Sequence, residues 1–166
     1  MLTLRQCVAA PDHVDATLVL PFEMRQKSRL ATQLPSGEAV ALLLPRGTVM
    51  RSGNCLAADD GRIVRVVAAD EALMEARCAN ADDLARCAYH LGNRHTPVQV
   101  GACFVRFTRD DVLASMLRGL GASVNELSAP FEPEAGAYAG GHRHQTEDAA
   151  HRGIIHDMIN RAGRAK

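Results

Sequence analysis

Through the first seventy residues, apolar positions come in short runs closed by turn residues. TLVLP (17–21), EAVALLLP (38–45) and GRIVRVVAA (61–69) are three such runs, separated by Gly37, Gly47, Gly53 and Gly61 and ended by Pro21, Pro35 and Pro45. β-branched, proline-closed runs at this spacing predict an all-β module with no room for a long helix. Beyond residue 72 the period changes. LMEARC (73–78) alternates as a strand does, and Asn80 then opens a helix whose Leu84, Cys87, Ala88 and Leu91 recur at i, i+3, i+4 and i+7 up to a stop at Gly92. PVQV (97–100) and CFVRF (103–107) read as strands. Thr108 is expected to cap a second helix, with Val112, Leu113, Met116, Leu117 and Leu120 on one face and Gly121 as its stop; ASVNEL (122–127) is a last strand. The order β-α-β-β-α-β is that of a ferredoxin-like unit. An α+β chain is therefore predicted: an all-β domain over 1–71, a ferredoxin-like domain over 72–140 and a flexible histidine-bearing tail over 141–166. Within that tail GIIHDMINR (153–161) has the spacing of a short amphipathic helix for a partner.

Charge narrows the function. Nineteen Lys+Arg balance nineteen Asp+Glu, so the chain lacks the positive field of a nonspecific nucleic-acid binder or a polybasic membrane anchor. The apolar stretch 39–45 falls far short of the roughly 18–20 residues needed to span a bilayer, and MLTLRQC lacks a secretory leader's pattern. Five scattered cysteines, none in a C-x-x-C, suit reduced thiols better than a disulfide framework. The expected place of work is the cytoplasm.

The neutral sum passes over seven histidines, of which His142, His144, His151 and His156 crowd the last 25 residues. His90 falls in the last turn of the first helix and His95 on its exit loop, ahead of the stiffening Pro97. Taken singly, both read as surface histidines. His142 and His144, however, form an H-x-H pair, and neutral imidazole ligates Ni, Cu and Zn. One fixed histidine and one mobile pair do not fill a transition-metal shell. A twofold dimer with His95 near its axis would bring two copies together, and the tails could complete the set. Ligands on loose chain bind and release readily, as a carrier requires. Metal candidates are thus His95, His142 and His144, with His151 and His156 as auxiliaries.

Other chemistry is weaker. Cys78, Cys87, His90 and His95 can be drawn as a zinc site, but the spacing is not that of a knuckle or ribbon, and both cysteines sit at core positions. VGACFVRF (100–107) partly matches an RNA-recognition strand, yet Ala102 and Val100 replace an aromatic and a base, and Phe104 and Phe107 read as packing residues. No P-loop, G-x-S-x-G, H-E-x-x-H or G-x-G-x-x-G is present, and no catalytic residue is expected. The alternative is a nucleic-acid or peptide-binding adaptor built on the ferredoxin-like sheet.

GNRH (92–95) running into TPVQ (96–99), DVLASML (111–117), PFEPEAGAY (130–138) and a histidine-bearing tail together resemble the UreE-type urease accessory proteins, over about residues 1–145. The resemblance implies a dimeric nickel metallochaperone, not an enzyme, whose N-terminal β domain is likened to a peptide-binding module and whose second domain is ferredoxin-like. It implies His95 as a ligand shared by two subunits, with His142 and His144 as additional ligands; Zn(II) or Cu(II) are competitors on affinity grounds, because imidazole ligation favours copper. It implies delivery of Ni(II) to the urease accessory GTPase and urease apoprotein complex, from a homodimer that metal could pair into tetramers. Some relatives carry H-x-H at the start of the second helix, where this chain has Arg109 and Asp111. Many carry long histidine runs where this tail has four histidines, so the implied load is a few ions per dimer.

Overall fold

The protein is described from a computed structural model covering residues 1–9 and 11–135. Its first half folds as a six-stranded mixed sheet in the order β2-β6-β5-β1-β4-β3. The strands are β1 (Leu2–Val8), β2 (Ala16–Leu20), β3 (Arg29–Gln33), β4 (Ala39–Leu43), β5 (Cys55–Ala58) and β6 (Ile63–Ala68), with a four-residue helix α1 (Phe22–Arg25) after β2. Period-two alternation places Leu18, Val40, Leu42, Leu56, Val64 and Val66 on one buried face with Leu4 and Met50. The three predicted runs all form strands. Residues 2–8, 29–33 and 55–58 add three more that the apolar runs did not reveal.

The second half runs β7 (Asp70–Arg77), α2 (Ala81–Gly92), β8 (Gln99–Val100), β9 (Phe104–Thr108), α3 (Asp111–Gly119) and β10 (Ser123–Pro130), in the expected order of elements. Its antiparallel sheet has the order β10-β7-β9-β8. Met74, Ala76, Val105 and Phe107 line one face and meet Cys87 and Leu91 of α2 and Leu113 and Leu117 of α3. A fully buried Phe107 alone accounts for roughly 1.5–3 kcal/mol of transfer free energy. The architecture is thus a mostly-β N-terminal domain followed by an α+β domain.

One helix boundary differs from expectation. Asn80 caps α2 as predicted, its side-chain oxygen accepting from Asp83 N–H at 2.9 Å. For α3 the cap is Asp110, whose carboxylate accepts from the amides of Val112 and Leu113. Thr108 is still in the ladder, opposite Leu73, so the cap falls two residues later. α2 ends at Gly92 as predicted, but without a left-handed conformation there; that conformation is taken by His95.

The β8–β9 turn depends on a missing side chain. A Cβ on Gly101 would lie 2.3 Å from the Phe104 ring, which stacks beneath the Arg106 guanidinium at 4.6 Å from the centroid. Gly101→Ala should therefore cost about 1–2 kcal/mol in chemical denaturation, as the ring gives up its seat. An unchanged midpoint would mean that the ring swings clear freely.

Candidate metal centre

Helix α2 presents the first candidate ligand. Beyond Gly92 the chain continues through Asn93 and Arg94, whose amides donate to Tyr89 and Leu91. His95 N–H then donates to the Gly92 carbonyl at 2.9 Å, and Thr96 N–H to Leu91 at 3.4 Å. This pair of back-bonds is the Schellman ending, and its left-handed position is occupied by His95 at φ 54°. That position favours glycine, because a Cβ there costs roughly 1–2 kcal/mol. His95 is exposed, so no burial offsets the strain. Arg94 Nε, 3.3 Å from Met116 Sδ, ties the turn to α3, and Pro97 stiffens its exit.

Among the described residues no other candidate ligand is gathered around it. His90 is half-buried, edge-on to the exposed Tyr89 ring at 5.3 Å. His142, His144, His151 and His156 lie outside the described residues. Among the described residues no three of His, Cys, Asp and Glu are grouped to hold a metal ion. His95 thus belongs to no three-residue ligand group among the described residues.

The zinc drawing is not assembled. Cys78 and Cys87 are both buried in the second core, and among the described residues they form part of no three-residue group that could hold a metal ion. Arg109 and Asp111 supply no site either, since Arg109 pairs with Glu126 at 3.0 Å and Asp111 begins α3. The RNA-like strand is also closed as a stacking platform. Phe107 is core, while Phe104 faces the other way with Gly101 against it and guanidinium groups of Arg106 and Arg77 over its ring. Among the described residues no helix is long and apolar enough to cross a membrane.

One structural feature was not foreseen. After β10, residues 131–134 form a strap that leaves one edge strand of the second sheet and reaches the other. Glu132 N–H donates to Gln99 Oε1 at 3.2 Å and Glu134 N–H to the Val98 carbonyl at 2.8 Å. From the N-terminal domain Arg25, fully buried, bonds to the Glu132 carboxylate and the Phe131 carbonyl as well as to Leu20 and Met50 carbonyls. The same carboxylate accepts from Arg51 at 3.3 Å and from Ser52 N–H at 2.8 Å. Arg51 also donates to the Pro133 carbonyl at 2.6 Å. Phe22 packs edge-on to the buried Phe131 at 5.7 Å, with the Arg25 and Arg51 guanidiniums over its ring, and its amide donates to Glu71 at 2.7 Å. The strap thus joins both domains and ends beside the segment that follows His95.

Known proteins share this arrangement of sequence. Models of the UreE urease accessory protein match residues 3–69 (N-terminal domain) and 71–159 (C-terminal domain). A urease accessory protein UreE from Nitrosospira multiformis is 57% identical over 150 residues, covering 90% of this chain and 85% of the relative. One from Paraburkholderia xenovorans is 60% identical over 128 residues, 77% of this chain and 57% of the relative. One from Burkholderia pseudomallei is 55% identical over 151 residues, 87% of this chain and 74% of the relative. With both domain models matched in tandem across most of its length, the chain belongs to the UreE family of urease accessory proteins.

Proposed function

We propose that this chain carries Ni(II) for urease maturation, binding the ion through His95 of two copies together with His142 and His144. As a UreE protein it is an accessory chaperone in urease maturation and not an enzyme. The finer reading rests chiefly on one observation, the left-handed conformation of His95 at a helix ending where glycine is cheaper. A strained, exposed histidine has its rationale in what its imidazole binds. Chain length supports the tail's part in the site: His142 lies eight positions beyond Glu134, which is held beside Val98, enough for about 28 Å of extended chain. His151 and His156 serve as auxiliary donors. The working form is a homodimer, because a shell built around one His95 lacks ligands. Zn(II) and Cu(II) compete, copper being favoured by imidazole on affinity grounds.

The ion passes to the urease accessory GTPase and the urease apoprotein complex, in the cytoplasm. All five cysteines are free thiols, which suits that compartment. We assign the N-terminal module to 1–71, the metal-binding module to 72–140 and the histidine tail to 141–166. The metal-binding module is ferredoxin-like on this reading, since its first and third strands are central and its fourth lies beside its first.

The test is titration of nickel by calorimetry across pH. Imidazoles take up protons near pH 6.5 and cannot then coordinate, so affinity should hold above pH 7 and fall steeply below about 6.5. An affinity indifferent to pH over that range would remove imidazole ligation from the account.

A further inference from the structure

We infer that Glu132 is a positioning residue for the His95 turn, through which the N-terminal domain sets the geometry of the metal site. The inference rests on the assignment of His95 as a nickel ligand and goes beyond it. A fully buried guanidinium needs a counter-charge in its own cavity, and the carboxylate bonded to Arg25 belongs to Glu132, from the other domain. Glu132 also holds Arg51 and Ser52 N–H, so one carboxylate joins α1 and the 50–52 segment. Its own backbone continues directly into the metal-binding domain. Glu132 N–H donates to Gln99 Oε1 and, two residues on, Glu134 N–H donates to the Val98 carbonyl. Val98 and Gln99 are the third and fourth residues after His95.

The far side of His95 is fixed independently, by the back-bonds of Thr96 and His95 to α2. The turn is therefore held at its entry by the helix and at its exit by the strap. A backbone in a left-handed conformation persists only where its surroundings over-determine it, and the strap supplies the exit half of that constraint. Movement of the N-terminal domain, such as capture of a partner would impose, reaches His95 along this route. A packed, hydrogen-bonded path of this kind is the type that carries coupling between sites.

The experiment compares full-length wild type with Arg51→Ala, Glu132→Gln, His95→Ala and Val64→Ala. Nickel affinity is read by calorimetry, and the His95 ring resonances by NMR without metal. Arg51 lies in the N-terminal domain, remote in sequence from the turn, and Val64→Ala loosens that domain's core without touching the strap. Arg51→Ala and Glu132→Gln should weaken nickel binding about two- to thirtyfold and shift the His95 resonances, whereas Val64→Ala should do neither. Wild-type affinity and unmoved resonances in a folded Arg51→Ala protein would overturn the inference. An equal loss in Val64→Ala would also overturn it, reducing the strap to general scaffolding. If wild type and His95→Ala bind nickel alike, the ligand assignment fails by itself, and the resonances still decide whether the strap governs the turn.

Discussion

Replacing His95 by glycine is expected to make the protein more stable and unable to bind nickel at its tight site. Relief of a left-handed Cβ contributes roughly 1–2 kcal/mol. Glycine's greater freedom in the unfolded chain takes back about 0.5–1 kcal/mol. The net gain is then up to about 1.5 kcal/mol, or a rise in Tm of up to about 6 °C for a chain of this size. His95→Ala retains the Cβ at φ 54° and should stay within about 0.5 kcal/mol of wild type. Both variants should lose the tight nickel site. The combination of stability ranking and metal loss separates a ligand from a scaffold residue. A glycine variant less stable than wild type would mean that the imidazole makes a stabilising contact, and an alanine variant with full nickel affinity would remove His95 from the site.

The same turn shows how far sequence reasoning reaches. The apolar stripe Leu84, Cys87, Ala88 and Leu91 and the cap at Asn80 are visible in the sequence, because helix periodicity and capping are local signals. The helix ends at Gly92 as the sequence predicts. The left-handed residue that glycine usually supplies comes three residues later, where the chain places histidine. The strands at 2–8, 29–33 and 55–58 escaped for a related reason. β1 buries only Leu2 and Leu4, β3 only half-buries Leu30 and Thr32, and β5 is short, so LTLRQCV and RLATQ lack an apolar run. Their places come from pairing with partners far along the chain, such as Leu2 beside Val40 and Leu4 beside Ala58. PFEPEAGAY was legible as a family mark but not as a mechanism. Nothing local in PFEPE signals that its glutamate answers an arginine 107 residues earlier.

That pair yields the largest expected loss of stability, and an asymmetric one. Arg25 is wholly buried, whereas the Glu132 side chain retains 30% exposure. Removing the carboxylate with Glu132→Ala strands a charged guanidinium among backbone carbonyls, a defect that costs about 3–5 kcal/mol. Removing the cation with Arg25→Met leaves a carboxylate that still has Arg51, Ser52 N–H and solvent. The apolar replacement fills much of the same volume, so the cost should be smaller, about 1–3 kcal/mol. Combining Arg25→Met with Glu132→Ala should cost well under the sum of the two, because the stranded charge is gone. Urea denaturation of the three variants measures all of this. Additive losses would show that the two residues act separately, and a costlier Arg25→Met would show that packing outweighs charge at this junction. The asymmetry follows from burial alone. The domain junction is built so that the N-terminal side holds the charge that water cannot reach, and the strap leading to the His95 turn holds the carboxylate bonded to it.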